Sequence, residues 1–319
     1  MVLEVLAPGL HSTIQDAGRP GHGHLGVRRA GAADELAMAV ANLLVGAPRD
    51  AAVVELTLLG GTFAVRADCL LGIAGADMDA RVPEEGRALP PRRSHRLRAG
   101  TTLEFGGSLD GARTYLALAG GIEAQAVLGS CSTDPVAGFG GHDGQALREG
   151  DTLMAGASPD VPVGERAWPE GTAASGVVEG DAPREVDIVA GPHVAALGSA
   201  LDHELAERTW TVTPRSDRAG LRLDGEPLPG VAPSDLVSLP MLPGAVQLPS
   251  GGLPIVLMPD APTIGGYAVP AVVVAADRSI LGQLRPGDGL RFRWVDGDTA
   301  RDRWLALQAG LRAAADRLA

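Results

Sequence analysis

Glycine and proline interrupt this sequence every few residues and leave only short apolar segments between them. The 319 residues include 44 glycines and 24 prolines. Both residue types end regular structure, because glycine favours turns and proline removes a backbone donor. The apolar segments between them have the length of β-strands: residues 70–75, 114–120, 185–191, 254–259 and 271–276. This pattern predicts a mainly β protein, a sandwich or barrel, with few helices.

A glycine turn between a leucine and a following strand recurs three times, at residues 97–103, 147–153 and 284–290. Barrels reuse such corners because glycine adopts a positive φ at little cost. The second and third copies each precede the end of one half of the chain. The repeat therefore suggests two similar barrels.

Residues 156–185 are rich in glycine, proline, alanine and charged residues and have no sustained periodicity, which is typical of a linker region. We predict a first domain at 1–160, a linker at 161–184 and a second domain at 185–319 that includes a C-terminal helix. An exchange of strands between the two domains stays open.

Three segments have the periodicity of amphipathic helices. Asp34 can cap a helix over residues 35–46, with Gly46 at its C-terminal end. A second helix is predicted at 193–207 and a third from about Thr299 onwards. We expect the last helix to dock on its own barrel, with a partner groove as the alternative.

The acidic charge and the absence of lysine restrict the chemistry of this chain. The formal net charge is −12, and all 27 basic residues are arginines. The acidic balance argues against nucleic acid and anionic membranes as partners, and no apolar run reaches the roughly 20 residues of a membrane-spanning helix. We therefore predict a cytoplasmic protein. Without lysine, this chain cannot form a Schiff base, a phosphate-loop lysine contact or a biotinylated lysine, so arginine, backbone amides or a partner must hold any anion.

The loop at residues 8–26, PGLHSTIQDAGRPGHGHLG, concentrates glycine, histidine and polar residues. His22 and His24 could ligate a metal, but nothing in the sequence indicates further ligands, and we predict no metal site. The glycine spacing also does not match a nucleotide-binding loop. We expect the glycines to bend the chain so that Gln15, Asp16 and Arg19 reach a shared pocket. The alternative is that Asp16 and Arg19 pair with each other and brace the loop.

Two further polar segments are candidate binding sites. Residues 213–223 include Arg215, Arg218 and Arg222, which could hold a carboxylate or phosphoryl group; a solvated charged hairpin is the alternative. Residues 244–267 predict a strand, a turn, a buried strand and a polar loop that would form a pocket wall at a barrel mouth. That polar loop offers the side chains of Asp260, Thr263 and Tyr267.

At these segments the chain resembles the family called allophanate hydrolase subunit 2, also described as KipA-like or as the C-type 5-oxoprolinase subunit. It also looks like the carboxyltransferase region of urea carboxylase. The family's order is kept over nearly the whole chain, and agreement of eight separated segments is specific. The segments read TIQDAGRPG, AGAADELAMAVANLLVG, VVELTLLG, YLALAGGI, LGSCST, PRSDRAGLRL, GAVQLPSGGLPIVLMPDAPTIGGY and LGQLRPGD.

This resemblance implies two cyclophilin-like β-barrel domains with a few short helices. It also implies a complex with a homologous KipI-like partner, the B-type 5-oxoprolinase subunit, and a third lactam-utilisation subunit. Such a complex spends ATP to open 5-oxoproline, a small cyclic amide, to glutamate. The alternatives are a carboxyltransferase-type module that receives biotin on another chain, and a non-enzymatic KipA-like regulatory binding protein.

The resemblance also implies roles for individual residues. Asp16 or Asp217 would handle the proton, and a set of arginines and polar residues would bind the substrate. Two positions depart from the family pattern, because Ala30 stands where serine is common and Cys131 where arginine is common. The implied substrate-binding residues are Gln15, Arg19, Arg215, Arg218, Arg222, Gln247, Asp260, Thr263 and Tyr267.

Overall fold

The computed structural model describes residues 1–156, 164–177, 180, 182–194, 199–228 and 236–318. The predicted mainly β fold with few helices is confirmed, with 21 strands in the described residues. The strands are β1 Leu3–Ala7, β2 His11–Gln15, β3 Val53–Thr57, β4 Thr62–Val65, β5 Cys69–Gly75, β6 Arg81–Val82, β7 Arg87–Ala88, β8 Arg93–Leu97, β9 Thr102–Glu104, β10 Arg113–Leu118, β11 Ile122–Glu123, β12 Thr152–Ala155, β13 Arg184–Ala190, β14 Trp210–Val212, β15 Gly220–Asp224, β16 Leu239–Pro240, β17 Ala245–Leu248, β18 Ile255–Leu257, β19 Ile264–Gly265, β20 Ala268–Val273 and β21 Gly289–Trp294.

The helices include the three that the sequence predicts and a short one that it does not. The Asp34 carboxylate caps the first helix by accepting the Ala37 N–H at 2.9 Å, and Gly46 follows its end with a φ of 72°, as expected. Part of the second predicted helix, residues 195–198, lies outside the described residues. The α-helices are α1 Glu35–Leu44, α2 Ser199–Glu207, α3 Arg278–Gln283 and α4 Gly297–Asp316, and short 3₁₀ turns lie at Gly23–Leu25, Pro83–Glu85 and Ala275–Asp277.

The chain folds into two compact units. Unit 1 comprises Met1–Arg19, Ala30–Val177 and Ala309–Ala319, and unit 2 comprises Pro20–Arg29 and Val178–Gln308. The predicted domain limits, 1–160, 161–184 and 185–319, stay predictions. Among the described residues, no helix combines the length and the apolar character that crossing a membrane requires.

Unit 1 contains two β-sheets and an apolar core. One sheet has the order β11-β12-β1-β4-β9-β6-β7 and the other β2-β3-β10-β5-β8. Side chains from both sheets pack into one cluster, for example Phe63 from the first and Leu116 from the second. Helix α1 covers the second sheet near β5 and β10. It approaches closely because Gly72 has no side chain: a Cβ there would lie 2.2 Å from the Ala41 carbonyl oxygen.

Unit 2 is a closed seven-stranded barrel with the order β13-β20-β17-β18-β15-β14-β21. Parallel pairing of β13 with β21 closes it, with Arg184 opposite Leu290 and Ile188 opposite Trp294. Closure leaves no free sheet edge in the barrel. Strands β16 and β19 form a separate two-stranded arm.

Two buried carboxylates in unit 2 share the guanidinium group of Arg303. Asp187 on β13 and Asp277 in the last 3₁₀ turn are both buried. Arg303 on α4 donates to Asp277 at 2.7 and 2.9 Å and also pairs with Asp187. Arg293 on β21 donates to Asp187 at 2.7 Å. The network therefore joins helix α4 to two strands of the barrel.

We predict that Arg303→Met lowers the free energy of unfolding by about 3 kcal/mol, because it strips a partner from two buried charges. Arg293 continues to neutralise Asp187 and limits the loss. Chemical denaturation monitored by circular dichroism measures it. Arg301→Met, an exposed position on the same helix, is the control and should change stability by less than about 0.5 kcal/mol. Equal stability of the two variants would contradict the network's role.

His95 on β8 is a buried imidazole in unit 1. Its Nε2 lies 3.0 Å from the Pro90 carbonyl oxygen, so that nitrogen carries the proton in the neutral ring. Burial lowers the pKa of His95, and the nearby Glu165 carboxylate only partly opposes this effect. The folded protein therefore resists a proton that the unfolded chain accepts near pH 6.5.

We predict that stability falls as the pH drops below about 6.5, because the unfolded state then binds more protons than the folded state. His95→Gln keeps an N–H donor but cannot titrate, so its unfolding midpoint in urea should change less between pH 7 and pH 5. His203→Gln, at an exposed position, should keep the wild-type pH dependence. A pH profile unaltered by His95→Gln would refute this assignment.

Candidate functional site

Asp16, just after β2, is buried, and its carboxylate accepts four hydrogen bonds. Oδ1 accepts from the Gly18 N–H at 2.8 Å and from the hydroxyls of Ser130 and Ser132 at 2.6 Å each. Oδ2 accepts from the Cys131 N–H at 2.5 Å. Asp16 therefore ties residues 130–132 to the end of β2. Its predicted role in proton transfer stays a prediction.

Arg19 binds the same part of the chain. Its Nε donates to the Val127 carbonyl oxygen at 3.3 Å, and Nη2 donates to the Ser132 carbonyl oxygen. The guanidinium carbon lies 5.0 Å from the centre of the Phe139 ring, within the range of a cation–π interaction. Asp16 and Arg19 thus both brace the segment from Val127 to Phe139, each through its own contacts.

Gln15, on β2, completes this cluster in unit 1. Its Nε2 donates to the Thr13 hydroxyl at 3.0 Å and to the Thr133 carbonyl oxygen at 3.5 Å. Its Oε1 accepts the Gly31 N–H at 3.2 Å. The structure therefore brings Gln15, Asp16 and Arg19 together around the 127–139 segment, where they make these contacts within the protein.

A second buried network in unit 1 surrounds Glu55, a residue to which the sequence alone assigns no role. Glu55 Oε2 accepts from the Tyr115 hydroxyl at 2.8 Å and from the Ala33 N–H at 2.9 Å. The Tyr115 oxygen accepts the Asp34 N–H at 2.7 Å, and Arg113 lies 3.4 Å from Glu55 Oε1. Burial, and then the Glu55 charge, raise the pKa of Tyr115 well above its usual value. The network holds the N-terminal end of α1 on the sheet.

Neither cysteine thiol is activated as a nucleophile. Burial, and then the Asp68 charge, raise the pKa of Cys69 to about 12. Burial, and then the Asp16 charge, raise the pKa of Cys131. Both thiols are therefore protonated at neutral pH, and a protonated thiol reacts poorly.

In unit 2, Arg218 and Asp260 form a buried bidentate ion pair. Arg218 Nε lies 2.8 Å from Asp260 Oδ2, and Nη2 lies 3.0 Å from Oδ1. The Asp260 N–H also donates to the Arg218 carbonyl oxygen at 2.9 Å. The pair joins the loop before β15 to the loop after β18. The Arg218 guanidinium therefore already holds a carboxylate of the protein itself.

Arg215 and Arg222 differ from Arg218 because they are exposed. Arg222 lies on β15 between the buried Leu221 and Leu223, so its side chain projects from the opposite face of that strand. Of the three predicted anion ligands, these two have exposed side chains. Their role as anion ligands stays a prediction.

Asp217, the second predicted proton-transfer residue, is exposed. Its Oδ1 accepts the N–H groups of Ala219 and Gly220 at 2.8 and 3.1 Å. These contacts shape the turn that leads into β15. The proposed catalytic role of Asp217 stays untested.

The other predicted residues of unit 2 lie around the β16–β19 arm. Gln247 on β17 is buried, and its Nε2 lies 3.3 Å from Met241 Sδ. The Thr263 carbonyl oxygen accepts the Met241 N–H at 2.9 Å, while Tyr267 is exposed. No group of three or more metal-ligating side chains occurs within the described ranges. Gln15, Asp16 and Arg19 belong to unit 1 and the remaining predicted residues to unit 2.

We predict that Asp16→Asn destabilises unit 1 by about 2–3 kcal/mol, because an amide group replaces an oxygen that accepts hydrogen bonds. Residues 127–139 should then exchange their amide hydrogens faster, which hydrogen-exchange mass spectrometry measures. Asp143→Asn is the control, because Asp143 is an exposed carboxylate in the same part of the chain. Unchanged exchange in Asp16→Asn would remove the structural role of this carboxylate.

Comparison with known proteins identifies relatives over most of the chain. The C-type 5-oxoprolinase subunit of Escherichia coli (strain K12) is 35% identical over 295 residues, which cover 91% of this chain and 90% of that protein. The urea amidolyase of Saccharomyces cerevisiae is 29% identical over 315 residues, which cover 94% of this chain but 17% of that protein.

Solved structures agree with this relationship. The crystal structure of TTHA0988 matches with a TM-score of 0.80 at 34% identity and covers 92% of this chain. The Kluyveromyces lactis urea carboxylase matches with a TM-score of 0.87 at 25% identity and covers all of it. The chain spans 56% of TTHA0988 and 29% of the urea carboxylase.

The family model described as carboxyltransferase domain, subdomain A and B, matches residues 25–294. This match covers most of the chain, and the alignment with the Escherichia coli protein extends over nearly its full length. Both findings confirm the resemblance seen in the sequence, and they show that the chain belongs to the carboxyltransferase domain, subdomain A and B, family.

Proposed function

We propose that this chain is a subunit of an ATP-dependent 5-oxoprolinase, a hydrolase complex that opens the cyclic amide of 5-oxoproline to glutamate. The alignment with the C-type 5-oxoprolinase subunit, over 90% of that protein, carries this proposal. The alignment with urea amidolyase covers only 17% of that protein. A match over the whole length of a relative favours a shared role of the whole chain over the role of one module.

The chemistry of the substrate agrees with the composition of the chain. 5-Oxoproline carries a carboxylate, and this chain has no lysine to bind it. The exposed Arg215 and Arg222 offer guanidinium groups, which bind carboxylates and phosphates in a bidentate geometry. Arg218 contributes differently, because its pair with Asp260 fixes the turn on which Arg215 lies.

ATP would activate the lactam oxygen when the complex is assembled. The exposed guanidinium groups of Arg215 and Arg222 are of the kind that binds phosphate, so they fit this co-substrate. Further phosphate contacts would come from backbone amides or from partner subunits. We propose that the partners are the homologous KipI-like protein, which is the B-type 5-oxoprolinase subunit, and a third lactam-utilisation subunit, and that the complex works in the cytoplasm.

A carboxyltransferase-type module is the second candidate function. The description of the matching family model and the TM-score of 0.87 with a urea carboxylase support it. Because this chain has no lysine, the biotin would arrive on another chain. Urea-dependent incorporation of labelled bicarbonate, with a biotin carboxylase and a carrier protein present, would favour this candidate over the first.

We predict that the chain, mixed with its partner subunits, ATP and 5-oxoproline, produces glutamate. The double variant Arg215→Ala, Arg222→Ala should reduce kcat/KM at least tenfold, because removing charged contacts to an anion costs about 1.5–3 kcal/mol each. Enzymatic detection of glutamate measures the rate. Arg301→Ala, an exposed arginine on α4, is the matched control and should retain the wild-type rate.

Two results would count against the proposal. One is the absence of glutamate while the Escherichia coli complex is active in the same assay. Loss of turnover with intact partner binding would then direct attention to the regulatory alternative. The other is full activity of the double variant, which would exclude these arginines as substrate ligands.

A further inference from the structure

The buried side chain of Gln247 uses little of its hydrogen-bonding capacity. A carboxamide can donate two hydrogen bonds and accept two. Gln247 is 8% exposed, and within the described residues its side chain makes one hydrogen bond, from Nε2 to Met241 Sδ at 3.3 Å. A thioether is a weak acceptor. Since buried polar groups in native proteins are nearly always satisfied, this amide requires an explanation.

The position of Gln247 in the sheet directs its side chain away from the strand face that carries Val246. Gln247 pairs with Ile255, and Val246 pairs with the buried Val256. The register between β17 and β20 shifts between Val246 and Leu248, so Gln247 lies at a sheet irregularity. Such irregularities re-aim side chains and are frequent beside functional sites.

The surroundings of the amide are apolar. Ala245, Ile255 and Met241 belong to one apolar cluster around β17 and β18. Gly265 on β19 leaves the space that the amide fills, because a Cβ there would lie 2.5 Å from Gln247 Nε2. In such a setting a hydrogen bond is stronger than in water, and an unmade one is costlier.

The amide is also open to a ligand. Gln247 Oε1 is not among the unpartnered polar atoms of the described residues that are sealed from solvent. Leu242 and Ile264, the chain neighbours of Met241 and Gly265, are 50% and 62% exposed, and Tyr267 is 53% exposed. Exposed apolar side chains therefore flank a buried amide with free hydrogen-bonding capacity.

We propose that Gln247 recognises a cis-amide, the amide geometry of a small lactam ring. The ring forces the lactam N–H and C=O to the same side, so one carboxamide can donate to the C=O and accept from the N–H at once. Linear peptide bonds are trans and present these groups on opposite sides. The same paired donor and acceptor let glutamine read adenine. The exposed apolar side chains would contact the ring methylenes.

This inference rests on the proposed function and narrows it, because it assigns the substrate amide to a named side chain in unit 2. It predicts discrimination by hydrogen-bonding pattern. 2-Pyrrolidinone and 5-oxoproline offer both groups, N-methyl-2-pyrrolidinone lacks the N–H, and γ-butyrolactone replaces it with a ring oxygen. A site built to pair with an N–H rejects analogues that lack it.

The first experiment is side-chain amide NMR of the ¹⁵N-labelled full chain, alone and with its partner subunits. Gln247→Met removes the Gln247 signal and so assigns it. Titration with 2-pyrrolidinone should shift this signal, whereas N-methyl-2-pyrrolidinone should bind at least tenfold more weakly. An unmoved Gln247 signal, or equal binding of the two compounds, would overturn the proposal.

The second experiment measures glutamate formation by the complex. Gln247→Glu keeps the shape but loses the donor, and Gln247→Met loses both groups; each should raise KM for 5-oxoproline at least tenfold. Gln308→Glu on α4 is the matched control. A purely structural role would lower the melting temperature without abolishing the preference for 2-pyrrolidinone over its N-methyl derivative, and that result would also overturn the proposal.

The two experiments separate this inference from the proposed function. If the wild-type complex makes no glutamate but 2-pyrrolidinone still shifts the Gln247 signal selectively, the cis-amide site stands and the 5-oxoprolinase assignment fails. If glutamate forms and the Gln247 variants keep the wild-type KM, the enzyme assignment stands and the cis-amide site is refuted.

Discussion

Buried carboxylates held by guanidinium groups and hydrogen-bond donors organise both units of this protein. A buried charge is costly unless it is paired and hydrogen-bonded. Asp16 is met by backbone amides and serine hydroxyls, Asp260 by Arg218, and Asp187 by two arginines. Each carboxylate joins segments that are distant in sequence. In a chain without lysine, arginine and the backbone carry this task alone.

The same requirement explains why the predicted site residues act first as anchors. Asp16, Arg19 and Arg218 are charged and lie in glycine-rich loops, which is typical of ligand-binding residues. In the structure their charged groups are engaged by the protein itself. They define the shape of the loops, and the exposed Arg215 and Arg222 are left to meet an anion. Loop geometry and ligand binding are thus assigned to different arginines.

Family membership and the Gln247 environment restrict the function from two directions. The family match covers residues 25–294, and the relatives of this chain include, by name, 5-oxoprolinase subunits and urea amidolyases. Both names refer to small amide substrates. A buried, underused carboxamide is a group suited to reading an amide, because it offers a donor and an acceptor side by side.

The sequence alone determined the strand-rich fold, the Asp34-capped helix and the family, because these depend on local propensity, turn residues and the order of motifs. It did not predict α3, which has only six residues and too few turns for a helical period. It named Gln15, Asp16 and Arg218 but could not tell their partners. Tertiary structure decided those, since Ser132 and Asp260 are separated from Asp16 and Arg218 by 116 and 42 residues. Only folding decides which charges are buried, and burial determines whether a charged group anchors a loop or stays available to a ligand.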